Sequence, residues 1–220
     1  MVHLTRTDSL LGQVEEAIAA HQPELGVRTI DSFIVLDGPF VVSGPDGPFD
    51  SYQVRVAVPD EFPWNEPYVW ETGKRIPRIA DRHVFPEDGN CCLGVWEEWL
   101  LTASDRTFAV LLTGIMHDYF LSQSYFESTG EWPFGERSHG NAGVLESYSD
   151  LLGVCDDPNA ISRYLRLLSM ARVRGHHICP CGSGNTLRRC HSVEVEGLSK
   201  RIPPALARRM LKRITPARSR

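Results

Sequence analysis

The 220 residues contain no run approaching the roughly 18 apolar residues of a membrane span. The amino terminus, Met1-Val2-His3-Leu4-Thr5-Arg6, lacks an apolar stretch of signal-peptide length. A cytoplasmic protein with no membrane partner is therefore expected. There is no internal repeat and no low-complexity tract. Cysteine is sparse, and four of the six cysteines fall in two tight clusters, Cys91-Cys92 and Cys179-Pro180-Cys181. Neighbours that close are poorly placed to bridge each other, so metal ligation or thiol chemistry explains them better than disulfides. Cys155 stands apart and is expected in the core. Acidic residues are missing from the end of the chain. Lys200 to Arg220 holds eight basic and no acidic residues, so removing +8 from the net −5 leaves −13 for residues 1–199. Such a tail suits a solvated basic helix; an acidic partner, RNA or the chain's own acidic body would also attract it. Nucleic acid is not the expected principal ligand.

Composition is otherwise that of a soluble globule, with 42% hydrophobic and 23% charged residues. Residues 5–21 read as an amphipathic helix, with Leu10, Leu11, Val14, Ala17 and Ile18 near helical spacing and Pro23 ending it. Short β-branched and aromatic runs follow at Thr29–Leu36, Phe40–Ser43 and Ser51–Val58, broken by Asp37-Gly38-Pro39 and by Gly44 to Pro48. Tyr68-Val69-Trp70 predicts a fourth strand after a proline-punctuated stretch. Residues 76–101 show no period and read as an ordered loop region. A helix is predicted over Thr107–Phe120, a loop over 122–143, helices near 143–152 and 158–172, and a terminal helix over Arg201–Arg213 behind Pro203-Pro204. The pattern is α+β: a four-stranded antiparallel meander flanked by helices, with a small C-terminal appendage. The expected division is one domain over residues 1–172 and a second over 173–220.

The appendage carries the most specific signal. Cys179-Pro180-Cys181-Gly182-Ser183-Gly184 followed by Cys190-His191 supplies two pairs of ligands about ten residues apart. Structural zinc asks for four such ligands in a tetrahedron, with no vacancy left for water. Gly182-Ser183-Gly184 lets the backbone turn sharply, and Leu187-Arg188-Arg189 suits one helical turn presenting Cys190 and His191. The stretch resembles the SEC-C zinc motif, although Asn185 and Thr186 stand where that family commonly has lysines. Zinc held by Cys179, Cys181, Cys190 and His191 as a structural cofactor is expected, with His176 and His177 outside the ligand set.

The second signal is Asp88-Gly89-Asn90-Cys91-Cys92-Leu93-Gly94. A nucleophilic cysteine must be partly exposed and held on a defined loop. Glycines flank this pair, and His83 and Trp99 bracket it. By itself the pair could equally be one core cysteine beside an idle one. The order helix, meander, Val58-Pro59, Phe62-Pro63, Pro67, His83, Gly89-Asn90-Cys91-Cys92-Leu93, Trp99 and helix resembles the ubiquitin-conjugating enzymes and their bacterial relatives, over roughly residues 5–125. The resemblance implies that Cys92 forms the thioester, that Cys91 packs inward, and that His83 stands for the histidine of the family's His-Pro-Asn motif. Val84-Phe85 replaces Pro-Asn, so another group must steady the oxyanion, and Asn90 is the candidate. Downstream, the Glu131–Gly140 segment matches a loop that edges the family's active site, and His139 is a candidate base or positioner for the incoming amine.

The resemblance implies a ubiquitin-like-protein conjugating transferase of the bacterial branch. Its partners would be an activating enzyme, a target protein, and a ubiquitin-like modifier or the C-terminus of an antiphage nucleotidyltransferase. Two other readings stay open: a non-catalytic adaptor of the same fold, and a redox or hydrolytic enzyme using Cys91-Cys92.

Overall fold

The computed structural model describes residues 6–133 and 137–215. The chain forms two compact units, residues 1–136 and 137–220. The helices after residue 140 thus belong with the cysteine-histidine segment. Among the described residues, no helix is long and apolar enough to cross a membrane.

In the first unit, helix α1 (Arg6–His21) precedes a meander of β1 (Gly26–Ile30), β2 (Phe33–Gly44), β3 (Gly47–Pro59) and β4 (Tyr68–Glu71), antiparallel throughout and in the order β1-β2-β3-β4. The sheet is as expected, and its β2–β3 turn at Pro45-Asp46 falls within the predicted Gly44–Pro48 break, but the first break lies elsewhere. The first turn is at Asp31-Ser32, with Asp31 at φ 52°, and β2 runs straight through Asp37-Gly38-Pro39. Beyond Gly26↔Asp37, β2 has no β1 partner. Gln22 fills part of that vacated edge by donating to Val41 O at 2.9 Å and accepting from Val41 N at 2.8 Å. Pro39 shares Val41's parity, so its missing N–H falls on this edge and costs no ladder bond.

Burial alternates along β3, where Tyr52, Val54, Val56 and Val58 face inward. Against that face lies a helical run made of α3 (Phe108–Leu111), a π-turn (Leu112–Met116) and α4 (His117–Thr129). Phe120, fully buried, packs on Phe40 at 5.0 Å and Tyr52 at 5.1 Å between ring centroids. The run extends nine residues past the predicted end at Phe120. Residues 76–101 are not loop throughout: α2 (Trp96–Thr102) forms because Trp96, Trp99 and Leu100, at i, i+3 and i+4, are all buried. Trp96 and Trp99 stack at 4.4 Å and meet Phe62 at 6.2 and 6.1 Å.

The second unit is helical: α5 (Gly140–Leu152), α6 (Pro158–Leu168), α7 (Ser192–Arg201) and α8 (Pro204–Ile214). Asp157 caps α6 by accepting from Asn159 N at 3.0 Å and Ala160 N at 3.1 Å, with Pro158 in the first turn. Ile161, Tyr164, Leu165 and Leu168 then form a buried stripe, matched on α8 by Leu206, Ala207 and Met210. The predicted terminal helix is α8, which starts at Pro204 behind Pro203, and α7 before it is a further helix with no predicted counterpart. Cys155 is exposed rather than in the core, because it falls in the connection between α5 and the α6 cap. Thr5 and the tail beyond Thr215 lie outside the described residues.

Candidate metal centre and candidate thiol site

The cysteine-histidine segment folds as a small reverse loop. Leu187 N donates to His177 O at 2.7 Å and Cys179 N to Asn185 O at 2.8 Å. Ile178 and Thr186 bridge between them. Gly182 makes the reversal at φ 88°, a backbone setting that disfavours a Cβ. A 3-10 turn at Leu187–Arg189 then presents Cys190 and His191, as its sequence indicated. Arg163 of α6 donates to Pro180 O at 2.7 Å and ties the loop to the helical scaffold.

These contacts bring one ligand atom from each of Cys179, Cys181, Cys190 and His191 within 4.8 Å of one another. Cys181 Sγ lies 3.6 Å from Cys190 Sγ, far beyond a disulfide bond. Cys179 Sγ and Cys190 Sγ lie 3.3 and 3.1 Å from His191 Nδ1. Around tetrahedral zinc, with bonds of about 2.3 Å to sulfur and 2.0 Å to nitrogen, ligand atoms sit roughly 3.5–3.8 Å apart. The cluster therefore has the size and donors to hold a metal ion. Burial pushes the Cys179 thiol up, whereas the Ser183 hydroxyl and amide bring Cys181 down to about 6. His176 is exposed and His177 Nδ1 accepts from Arg174 N at 3.2 Å, both outside the ligand set.

The thiol segment is held as strictly, by different means. Gly89, at φ 76°, sits where a Cβ would meet the Arg78 guanidinium at 2.5 Å. Asn90 accepts from Val69 N through Oδ1 at 2.8 Å, and Cys91 N donates to Val69 O at 2.7 Å. Residues 90–91 thereby cover the outer edge of β4. Cys92 N then donates to His83 O at 2.7 Å, while Val84 and Cys91 bridge. The two cysteines differ sharply. Cys91 is 3% exposed, and burial pushes its thiol up to about 11; Cys92 is half-buried.

His83 is thus brought beside Cys92 through the backbone, in the left-handed region at φ 49°. Its ring stands edge-on to Trp132 at 4.8 Å, and Trp132 stacks on Phe126 at 4.6 Å. Asn90 shares the segment with Cys92, but its carbonyl oxygen is committed to β4. Trp99 belongs to the aromatic cluster with Phe62 and Trp96. His139 is an exposed residue preceding α5 in the second unit. Phe134, Gly135 and Glu136 of its segment lie outside the described residues.

Sequence reasoning missed the groups that hold this loop from α4. Gln123, fully buried, donates to Arg82 O and accepts from Arg82 Nε, both at 2.9 Å. Glu127 pairs with Arg82 at 3.2 Å, and Arg82 lies 4.8 Å over the Phe126 ring. Tyr119 donates to His83 O at 3.3 Å. Helical spacing marks only Tyr119 among these, and only as a core position. Comparison with family models, with curated proteins and with solved structures finds no match.

Proposed function

We propose that the first unit is an acyl carrier of ubiquitin-conjugating type, with Cys92 as its nucleophile, and that the second unit is a zinc-stapled module. The observation that carries the reading is the contrast within one dipeptide: Cys91 is sealed under the sheet edge while Cys92 remains partly open on a loop pinned at both ends. A nucleophilic thiol needs access and a fixed backbone together. The α+β meander with its helices before and after is consistent with the resemblance of residues 5–125 to that family.

In this reading the Cys92 thiolate attacks a modifier thioester delivered by an activating enzyme. The new C–S bond forms as the donor's thiol departs with the proton. An amine of the target protein then attacks, an amide forms, and Cys92 recovers its proton. Asn90 Nδ2 and backbone amides are the available donors for the tetrahedral oxyanion, in place of the missing asparagine of the family motif. His83 orients the segment. The modifier is a ubiquitin-like protein or a nucleotidyltransferase C-terminus, in a cytoplasmic bacterial setting of antiphage defence. Zinc, when bound by Cys179, Cys181, Cys190 and His191, fixes the fold of its loop and takes no part in acyl transfer.

The test is to incubate the protein with the activating enzyme and modifier encoded beside its gene and to look for a thiol-sensitive adduct on a non-reducing gel. Cys92→Ala should abolish the adduct and Cys91→Ala should keep it. An adduct that survives Cys92→Ala rejects the assignment.

An adaptor reading is favoured by one feature of the second unit. The metal loop displays Ile178 at 63% exposure and the start of α7 displays Val193 at 77%, with Arg174, Arg188 and Arg189 exposed in the same stretch of chain. Open apolar side chains next to arginines suit protein contact. A protein that binds partners through this loop but never forms an adduct would be that adaptor.

A further inference from the structure

We infer that Tyr119 and Gln123 of α4 are positioning residues for the Cys92 nucleophile. The inference rests on the acyl-carrier reading for its purpose, but its geometry stands apart from it. The Cys92 amide is fixed by a single acceptor, the carbonyl oxygen of His83, at 2.7 Å. That oxygen has the Tyr119 hydroxyl as a second donor at 3.3 Å, a hydroxyl that also reaches Arg82 O at 3.5 Å and the Cys91 thiol. One residue earlier, Arg82 O accepts from Gln123 Nε2 at 2.9 Å, and Gln123 Oε1 takes the Arg82 Nε proton at 2.9 Å. Consecutive carbonyls at the end of the Ala80–Arg82 turn are thus both held from one helix face, since residues i and i+4 stand one above the other.

The clamp is rigid because its base is buried. Tyr119 is 8% exposed and Gln123 fully buried, so neither polar end has water as an alternative partner: losing Gln123 Nε2 leaves Arg82 O with only the long Tyr119 contact at 3.5 Å, and losing the Tyr119 hydroxyl leaves His83 O to the Cys92 amide alone. His83 needs that support, because it sits at φ 49° without being glycine. The π-turn at Leu112–Met116, where Gly114 departs from helical geometry at φ −105° and ψ −108°, sets the phase of the face. An added residue in one turn rotates the downstream helix face by about 100°. Upstream of it Phe108 and Leu111 are buried; downstream, Tyr119 and Gln123 meet the turn that carries His83.

The clamp sets where the Cys92 backbone sits and therefore the direction of its sulfur. Loosening it leaves the thiol attached but misaimed: easier for a small electrophile to reach, and worse at meeting a bulky acyl donor in line. The sheet-edge bond of Cys91 to Val69 is untouched by the change.

The test uses the full chain and Tyr119→Phe, which removes only the hydroxyl. The second variant is Gln123→Glu, which keeps the acceptor for Arg82 Nε and turns the donor facing Arg82 O into an oxygen. Native protein is pulsed with iodoacetamide and each cysteine is quantified by peptide mass spectrometry, with the exposed Cys155 as internal reference. We expect Cys92 labelling relative to Cys155 to rise at least threefold in both variants while Cys91 stays unlabelled. A smaller rise in either variant overturns the inference, and so does Cys91 labelling that rises together with Cys92, the mark of local unfolding. With an activating enzyme and modifier in hand, kcat for adduct formation should fall about tenfold with KM unchanged; an unchanged kcat also overturns it. No adduct on the wild type beside the expected labelling change would reject the acyl-carrier reading alone.

Discussion

Cys92 N donates to His83 O at 2.7 Å, so a single backbone bond couples the candidate nucleophile to the one non-glycine residue of its segment held in the left-handed region. Of the two adjacent thiols, this bond belongs to the half-buried one. Cys91, bonded through its amide to β4 and close to the Tyr119 hydroxyl, points the other way and is desolvated.

That division predicts pH-resolved labelling. Burial pushes the Cys91 thiol up to about 11 from a usual value near 9. A raised thiol pKa means the folded state holds its proton more tightly. Its stability contribution is complete below pH 9 and fades as pH rises toward 11, by about 2–3 kcal/mol in all. Between pH 7 and 9, iodoacetamide should modify Cys92 and Cys155 in native protein and leave Cys91 untouched. Above pH 10 the Cys91→Ala variant should lose less stability than the wild type, as read by urea unfolding.

The acid limb is set elsewhere in the same unit. The Arg75 guanidinium grips Asp50 at 2.7 Å, with the Ser124 hydroxyl also donating to it at 2.6 Å, and the pair holds the Asp50 carboxyl down to about 2. A lowered carboxylate pKa stabilises the fold above the unfolded value near 4, and that contribution is lost as pH falls toward 2. Arg75 is 39% exposed, so solvent screening trims the effect. Asp50→Asn should cost about 1–2 kcal/mol at pH 7, with the difference from wild type vanishing near pH 2 in thermal melts.

Phe120 gives a test of the core that bears on the site only through stability. It is fully buried between Phe40 and Tyr52. Phe120→Ala should cost about 3–5 kcal/mol, whereas Leu121→Ala, on a partly exposed face, should cost less than half as much. Equal losses in chemical denaturation would contradict the burial assignment.

How far the sequence revealed this architecture depended on how local each signal was. The metal cluster was legible because its ligands lie within thirteen residues, 179–191, and the glycines and the Leu187–Arg189 turn that shape it lie between them. The meander was legible from alternation, but Gly38-Pro39 looked like a turn because an unpaired strand edge, which excuses proline, is a property of neighbours. Helix α2 was missed since its seven residues are too few for a period, and its aromatics are buried by the distant Phe62. Residues 122–129 looked like loop for their serines and threonine. In the helix those hydroxyls fold back on backbone carbonyls, Ser122 to Asp118 O at 2.7 Å and Thr129 to Tyr125 O at 2.9 Å. Cys92 and His83 could be paired in advance, whereas Tyr119 and Gln123 act across about 36–41 residues, which no spacing rule reaches.

The metal centre yields the last prediction. Cys179 is 1% exposed and Leu187 3%, yet the loop between them contributes little other apolar burial, so its fold rests on what joins four ligand atoms. Without a cation, thiolates 3.6 Å apart repel and protonated thiols bond weakly. With zinc, the binding free energy becomes folding free energy for the loop. The protein should carry one zinc per chain by elemental analysis, and Cys190→Ser should lose it. Chelation should then raise amide exchange at the peptide bonds pairing His177 with Leu187 and Cys179 with Asn185, while the β2–β3 ladder of the first unit keeps its protection. Metal-free wild type with those amides still protected would show that the loop is held by packing and the Arg163–Pro180 bond alone, and the zinc assignment would fall.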